Sequence, residues 1–382
     1  MSVLVINCGS SSVKFKLLNP GRSRPFMEGS LEEIGDGKIA NHNQALELIS
    51  KDIRETLTET GETLEAVGHR VVHGGDQYST PALIDEHVIA AIEELAVLAP
   101  LHNPAGLDGI RAAQAAFPDI PQVAVFDTAF HMTIPEANRT YAVPREWEKT
   151  YGVRKYGFHG TSHSYVSKKA IAWLKENREI DPAKSKVVVL HLGNGASATA
   201  VLGGKSIDTS MGLTPLPGLV MGTRSGDIDP AIFGHMGRVA GLTVDQVEAA
   251  LNFEGGMLAL SGDSDMRVVE KRVEAGDAQA RLALDVYIHR LRSTVGSYIA
   301  TLGGLDALVF TAGVGENSVG VRQRLVGGLG AFGLELNKGL NAAPVTCEVV
   351  EISAEASKAT VLVVPTDEEA EIADQARSLL EA

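Results

Sequence analysis

Val3-Leu-Val-Ile-Asn-Cys-Gly9-Ser-Ser-Ser-Val-Lys14 begins as an unbroken apolar run and empties into a glycine-serine turn. Consecutive apolar residues suit a strand buried on both faces. The turn offers free backbone N–H groups of the kind that hold phosphate. Beyond it Val13, Phe15 and Leu17 alternate with Lys14 and Lys16, the pattern of a half-buried hairpin arm. The design recurs in Val187-Val-Val-Leu-His-Leu-Gly-Asn-Gly195 and in Ala307-Leu-Val-Phe-Thr-Ala-Gly313-Val-Gly315-Glu-Asn317. Three such turns, far apart in one chain, point to a nucleotide held between two related halves of an α/β protein. Residues 187–201 also echo residues 3–18 as strand, turn and strand, which suggests duplicated domains.

The composition fits this reading. The 382 residues are 44% hydrophobic and 21% charged, enough for a sizeable core, and the length suits two domains or one elaborated α/β unit. A net charge of −14 without a basic block argues against nucleic acid or an anionic membrane as partner. Cys8 and Cys347 make neither a disulfide framework nor a metal-type spacing, and Cys8 reads as a buried free thiol. The chain enters a strand at once, so no signal peptide is expected, and no stretch approaches the roughly 18 apolar residues of a membrane helix. A soluble, cytosolic protein is expected.

Periodicity predicts helices over 45–60, 85–98, 107–117, 147–156, 165–176, 243–253 and 278–302, and strands over 66–72, 123–126, 305–310 and 360–364. Residues 209–230, rich in Gly, Pro and Thr, read as a long irregular loop, and such loops are usually functional. Thr366-Asp-Glu-Glu369 reads as a capping box opening the last helix.

Several residues carry chemistry on their own account. Arg70 lies in an otherwise apolar strand, where a guanidinium is costly unless paired; a bidentate bond to a carboxylate substrate supplies the pairing. Asp127 ends a strand. His159 and His163 stand four residues apart at a helix start, but without an intervening Glu or a third ligand they argue against zinc.

Taken together, Asn7–Lys14, Gly68-His-Arg-Val-Val-His-Gly-Gly75, Leu101-His-Asn-Pro104, Phe126-Asp-Thr-Ala-Phe-His131, Tyr156-Gly-Phe-His-Gly-Thr-Ser-His163, His191–Gly195, Met221-Gly-Thr-Arg-Ser-Gly226 and Phe310–Asn317 resemble the signatures of the acetate kinase family. That family belongs to the sugar kinase, Hsp70 and actin superfamily. The resemblance implies two duplicated actin/ribonuclease-H-like α/β domains with a nucleotide cleft between them, here residues 1–145 plus 368–382 and residues 146–367. It implies reversible transfer of the ATP γ-phosphoryl to acetate, giving acetyl phosphate and ADP, with Mg²⁺ (or Mn²⁺) as the metal. Propionate or another short-chain carboxylate is the alternative acceptor; a nucleotide-binding sensor without this chemistry is the rival class. The family is typically homodimeric.

The resemblance also assigns roles. Asn7 and Glu368 serve the metal. Lys14, Ser10 and Ser12 meet the phosphates, as do His191, Leu192, Gly193, Asn194 and Gly195. Gly313, Val314, Gly315, Glu316 and Asn317 line the adenosine pocket, with Asp265, Met266 and Arg267 opposite. Arg70 binds the acceptor carboxylate, and Val72, Leu101, Phe158 and Pro215 form its small apolar pocket. Asp127, His159 and Arg224 are the catalytic set: Arg224 and His159 face the transferring phosphoryl. A carboxylate nucleophile is already ionised at neutral pH and needs no base. Asp127 is therefore expected to orient Arg70, Arg224 or a metal-bound water. The family often has Asn where this chain has Asp367, which adds a negative charge beside Glu368.

Overall fold

In strand β1 (Ser2–Cys8), Val3, Leu4, Val5 and Ile6 are almost wholly buried. Successive strand side chains point to opposite faces, so such a strand needs cover on both. Leu4 and Ile6 pack with residues of the helices His42–Thr60 and Asn103–Ala116; Val3 and Val5 pack with Ile372, Ala373 and Ala376 of the C-terminal helix Glu368–Leu380. This computed structural model describes residues 2–9, 11–19, 25–35, 37, 39–100, 102–345 and 348–382.

The chain divides into two compact units. The first comprises Met1–Met132, Phe158–Ser162 and Asp367–Ala382; the second comprises Thr133–Gly157 and His163–Thr366. The sequence places the change of unit at 145/146 and 367/368, whereas here the stretch 133–157 groups with the second unit and 158–162 with the first.

The first unit holds β1, β2 (Val13–Leu18), β3 (Met27–Leu31), β4 (Leu64–Val71), β5 (Ala82–Leu83) and β6 (Gln122–Phe126) in the order β3-β2-β1-β4-β6-β5. β1 pairs antiparallel with β2 and parallel with β4; β6 extends the parallel set and β5 closes the edge antiparallel. Gly68 lets the C-terminal helix lie on β4, because a Cβ there would come within 2.8 Å of Ile372 Cγ2.

The second unit repeats the plan with β7 (Lys186–Leu192), β8 (Ala196–Leu202), β9 (Lys205–Thr209), β10 (Ala307–Thr311), β11 (Val350–Glu351) and β12 (Thr360–Val363) in the order β11-β12-β10-β7-β8-β9. An antiparallel meander β7-β8-β9 continues through parallel β10 and β12 to an antiparallel edge, β11. Each strand has a counterpart of the same direction in the first unit. The duplicated α/β architecture expected from the sequence is therefore present.

Local details correct the reading of the sequence. The helix expected over 147–156 runs Arg145–Tyr151 and stops because Gly152 adopts φ 67°, the left-handed cap that glycine tolerates. The helix expected from 165 begins at Gly160. Residues after β10 form a short helix, Ala312–Asn317, rather than an open turn. The last helix is capped by Asp367, not Thr366: its carboxylate accepts from Ala370 N at 3.0 Å. A short anionic side chain suits both the open N–H groups and the helix dipole. The loop between Thr209 and Ala231 is irregular, as expected. Cys8, expected to be buried, is a half-buried free thiol whose pKa is pushed up to about 12 by desolvation and then by Asp108. Cys347 lies outside the described residues. Among those residues no helix is long and apolar enough to cross a membrane.

Candidate active site

The first unit gathers charge at the carboxyl ends of two parallel strands. Arg70 is near the end of β4, and Asp127 follows β6, held there by its N–H donating to Val71 O at 2.9 Å. Arg70 Nε donates to both Asp127 oxygens at 3.2 and 3.1 Å, and Nη2 donates to Oδ2 at 2.5 Å. One edge of the guanidinium is thus committed, while no described residue bonds Nη1. Glu368, the first residue of the C-terminal helix, brings Oε2 to 3.7 Å from Arg70 Nε, and Thr161 Oγ1 lies 3.2 Å from Asp127 Oδ1 and 3.4 Å from Glu368 Oε2. Of the partners expected for Asp127, Arg70 is the one it meets here.

Burial works against the Arg70 charge, but Asp127 and then Glu368 outweigh it, and its pKa is raised. Glu368 is raised as well, first by burial; Arg70 opposes this, while Asp127 and Glu369 add to it. The cluster therefore carries more buried negative charge than its arginine balances. That excess suits a hard divalent cation with oxygen ligands. Among the described residues no three His, Cys, Asp or Glu side chains converge to cage a metal. Mg²⁺ fits such a site, since it keeps several waters and takes one or two carboxylates plus substrate phosphate.

The rest of the first-unit set lies on or beside these strands. Asn7 pairs with Lys14 across the hairpin, and Gly9 N–H donates to Ser12 O at 2.8 Å, closing the turn. Lys14 is exposed and carries no ion pair among the described residues. Ser10 and Leu101 lie outside the described residues. Phe158 is buried edge-on to His73, with ring centroids 5.6 Å apart, and Val72 is half-buried. His131 Nε2 lies 2.9 Å from Phe158 O. His159 takes φ 57°, unusual for a non-glycine residue and tolerated where neighbours dictate it. The next residue, Gly160, donates its N–H to Asp127 O at 2.9 Å and has no room for a Cβ, which would fall 2.1 Å from that oxygen.

The second unit assembles another set. The hairpin between β7 and β8 closes through Gly193 N–H to Gly195 O at 3.0 Å, and Asn194 O accepts from Gly222 N at 2.9 Å. The phosphate-type turn is thereby joined to the loop carrying Arg224. That loop rests on the helix Gly256–Ser261, where Met257 and Leu258 N–H donate to Met221 and Gly222 O at 2.9 Å each. Arg224 Nη1 donates to Pro215 O at 3.3 Å. No described carboxylate pairs with Arg224, and burial lowers its pKa. A half-buried cation in this condition suits an anionic ligand.

His191 is buried at the end of β7, its ring 6.2 Å from that of His163, whose Nε2 lies 2.7 Å from Ser197 Oγ. After β10, Glu316 Oε1 accepts from Ala312 N at 2.8 Å and from Thr366 N at 3.1 Å. The wholly buried Arg322 donates to Gly315 O at 2.9 Å, Glu316 O at 2.6 Å and Asn341 Oδ1 at 2.7 Å, bracing the segment Gly313–Asn317. Asp265 caps the helix Met266–Glu274 and forks with Arg267, whose hydrogen bonds hold its pKa down at about 2.

The expected residues thus fall into two sets, one in each unit. Reading the sequence missed Thr161, Lys16 and Arg322. Thr161 sits inside a motif already singled out, and Lys16 was visible as an outward lysine, but Arg322 has no local signal.

Two units of one strand order, each with a glycine turn after its first strand, define a duplicated class of α/β proteins. Comparison with known proteins narrows this. The sequence profile of the Acetokinase family matches residues 2–374, and the chain belongs to that family. Acetate kinase of Streptomyces coelicolor is 49% identical, over 99% of this chain and 97% of that protein. The Leifsonia xyli acetate kinase is 50% identical, over 98% of each. Among solved structures, Porphyromonas gingivalis acetate kinase matches with a TM-score of 0.91 at 40% identity, and a propionate kinase from Francisella tularensis with 0.90 at 41%, each over 99% of both chains.

Proposed function

We propose that this enzyme is an acetate kinase, transferring the γ-phosphoryl of ATP reversibly to acetate. The observation that carries this reading is Arg70: Asp127 holds its Nε–Nη2 edge, and no described residue bonds Nη1. A half-committed, oriented fork is suited to a second carboxylate, the acceptor. Val72, Leu101, Phe158 and Pro215 are the residues we assign to the acetate methyl group.

In the reaction one acetate oxygen forms a bond to the γ-phosphorus as the bond to the β,γ-bridging oxygen breaks, giving acetyl phosphate and ADP. Phosphoryl transfer asks mainly for positioning and charge neutralisation. Arg70 orients the acetate. Arg224 meets the equatorial oxygens; that it is half-buried with no described carboxylate beside it supports that role. His159 donates to the same oxygens. Lys14, Ser10, Ser12 and the hairpin 191–195 receive the remaining phosphates, while the segment 313–317 and Asp265–Arg267 receive adenosine. Asp127 holds Arg70 in place and takes no proton. Mg²⁺, served by Glu368 and by Asn7, would neutralise phosphate charge when bound.

The reading extends to a cytosolic homodimer. The helix Ala231–Ala240 supports it, having no buried residue despite Ile232, Phe233, Met236 and Val239. The test is hydroxamate trapping of the acyl phosphate with ATP, MgCl2 and acetate, propionate or butyrate in turn. The proposal requires the highest kcat/KM for acetate. One methylene is discriminated by only about 1–3 kcal/mol in such pockets, so measurable turnover of propionate is expected. No acyl phosphate from any of the three would overturn the reading.

A further inference from the structure

Lys16, on β2, takes no part in the chemistry above, yet it is not a solvated surface lysine. Its side chain is only 17% exposed, and Nζ lies 3.1 Å from Asp367 Oδ1, 3.4 Å from Glu369 Oε2 and 3.9 Å from Glu28 Oε2. Asp367 and Glu369 are the two residues flanking Glu368. Asp367 is engaged twice, since the oxygen facing Lys16 also caps the helix by accepting from Ala370 N at 3.0 Å. The first turn crowds Asp367, Glu368, Glu369 and Glu371 together. The helix dipole favours such charges but does not decide which of them turns inward. Glu368 must face Arg70 and Thr161 although Asp127 and Glu369 repel it.

We propose that Lys16 is a positioning residue for Glu368. By gripping the carboxylates on either side, it fixes the rotation of the helix's first turn and keeps Glu368 on Arg70 and Thr161. The inference rests on the reading that Glu368 serves the metal side of phosphoryl transfer.

Four proteins test it: Lys16→Met, Lys16→Arg, Glu368→Gln and the double variant Lys16→Met/Glu368→Gln. At saturating ATP, Lys16→Met should raise the MgCl2 concentration for half-maximal activity by about fivefold or more, with a smaller change in kcat. Lys16→Arg, which keeps the charge, should restore it to within about twofold. In the metal-free proteins Lys16→Met should lower the thermal midpoint by roughly 3 °C, and by less than half as much when Glu368 is already Gln. A merely structural lysine would lower the midpoint equally in both backgrounds and leave the MgCl2 dependence unchanged, and that result overturns the proposal. If Lys16→Met does not fold, Lys16→Gln enters the same cycle. Should Glu368→Gln alone keep full MgCl2-dependent activity while the cycle stays non-additive, the metal role of Glu368 fails and the Lys16 clamp stands.

Discussion

Acid should loosen the strand pair that carries the candidate site, through His69. This residue precedes Arg70 on β4 and is 2% exposed. Its Nε2 lies 2.8 Å from Gln122 Oε1 on β6. Gln122 Nε2 donates to Phe117 O and Ile120 O, so its oxygen is the acceptor and His69 Nε2 carries the proton. Burial, opposed only in part by that hydrogen bond, lowers the histidine pKa from 6.5 to about 4. A histidine kept neutral in the folded state contributes stability that is fully present above the unfolded pKa and is lost as pH falls toward the folded one. The window is therefore pH 6.5 down to about 4. The difference of 2.5 units, at 1.36 kcal/mol each, gives about 3 kcal/mol, or roughly 4 °C in thermal midpoint for a chain of 382 residues. The assay is the midpoint from pH 7.5 to 4.5 for wild type and His69→Gln, which keeps an N–H donor. Other titrating groups cancel in the difference. The variant should start lower at pH 7.5 and lose less on acidification, and ring-proton NMR should find His69 untitrated at pH 5.5. Parallel pH curves, or a His69 titration near 6.5, would refute the reasoning.

Other outcomes follow from the same geometry. Arg224→Ala should cut kcat by about 10³ or more, the scale of losing an arginine that stabilises a transferring phosphoryl. Arg70→Ala should mainly raise the KM for acetate, about 10–100-fold, for loss of a charged hydrogen bond; steady-state kinetics separates the two. Glu368→Gln removes a carboxylate whose raised pKa opposes folding when ionised. The metal-free variant should therefore melt higher than wild type at pH 8, with the gain shrinking as pH falls. Gly160→Ala drives a Cβ onto Asp127 O and should cost about 1–3 kcal/mol, read as a lower unfolding midpoint together with lost activity. If the helix Ala231–Ala240 seals a homodimer, sedimentation should give twice the 40.4 kDa of one chain, and Val239→Asp should yield monomers. A wild-type monomer at micromolar concentration would remove that part of the proposal.

Much of this protein was legible from local pattern. Continuous apolar runs predicted strands buried on both faces, because a strand covered on one face alternates instead. The glycine turns were legible because backbone approach requires them, and the echo between 3–18 and 187–201 anticipated two sheets of one strand order. The helix 278–302 was readable to the residue, since Asp277 and Gly303 mark its ends. Cap choice at Asp367 was not readable, because Thr366 and Asp367 both suit the position. Thr366 donates its N–H to Glu316 instead, a contact spanning 50 residues.

The sequence by itself determined the duplicated α/β plan, the glycine turns after β1 and β7, and the fact that Arg70 needs a partner. It could do so because burial patterns and turn chemistry act over a few residues. Only the tertiary structure decided who the partners are. Asp127 lies 57 residues from Arg70, Lys16 reaches Asp367 across 351, and no described carboxylate pairs with Arg224. Charge compensation acts through space rather than along the chain, so it becomes definite only once distant strand ends and helix starts are brought together.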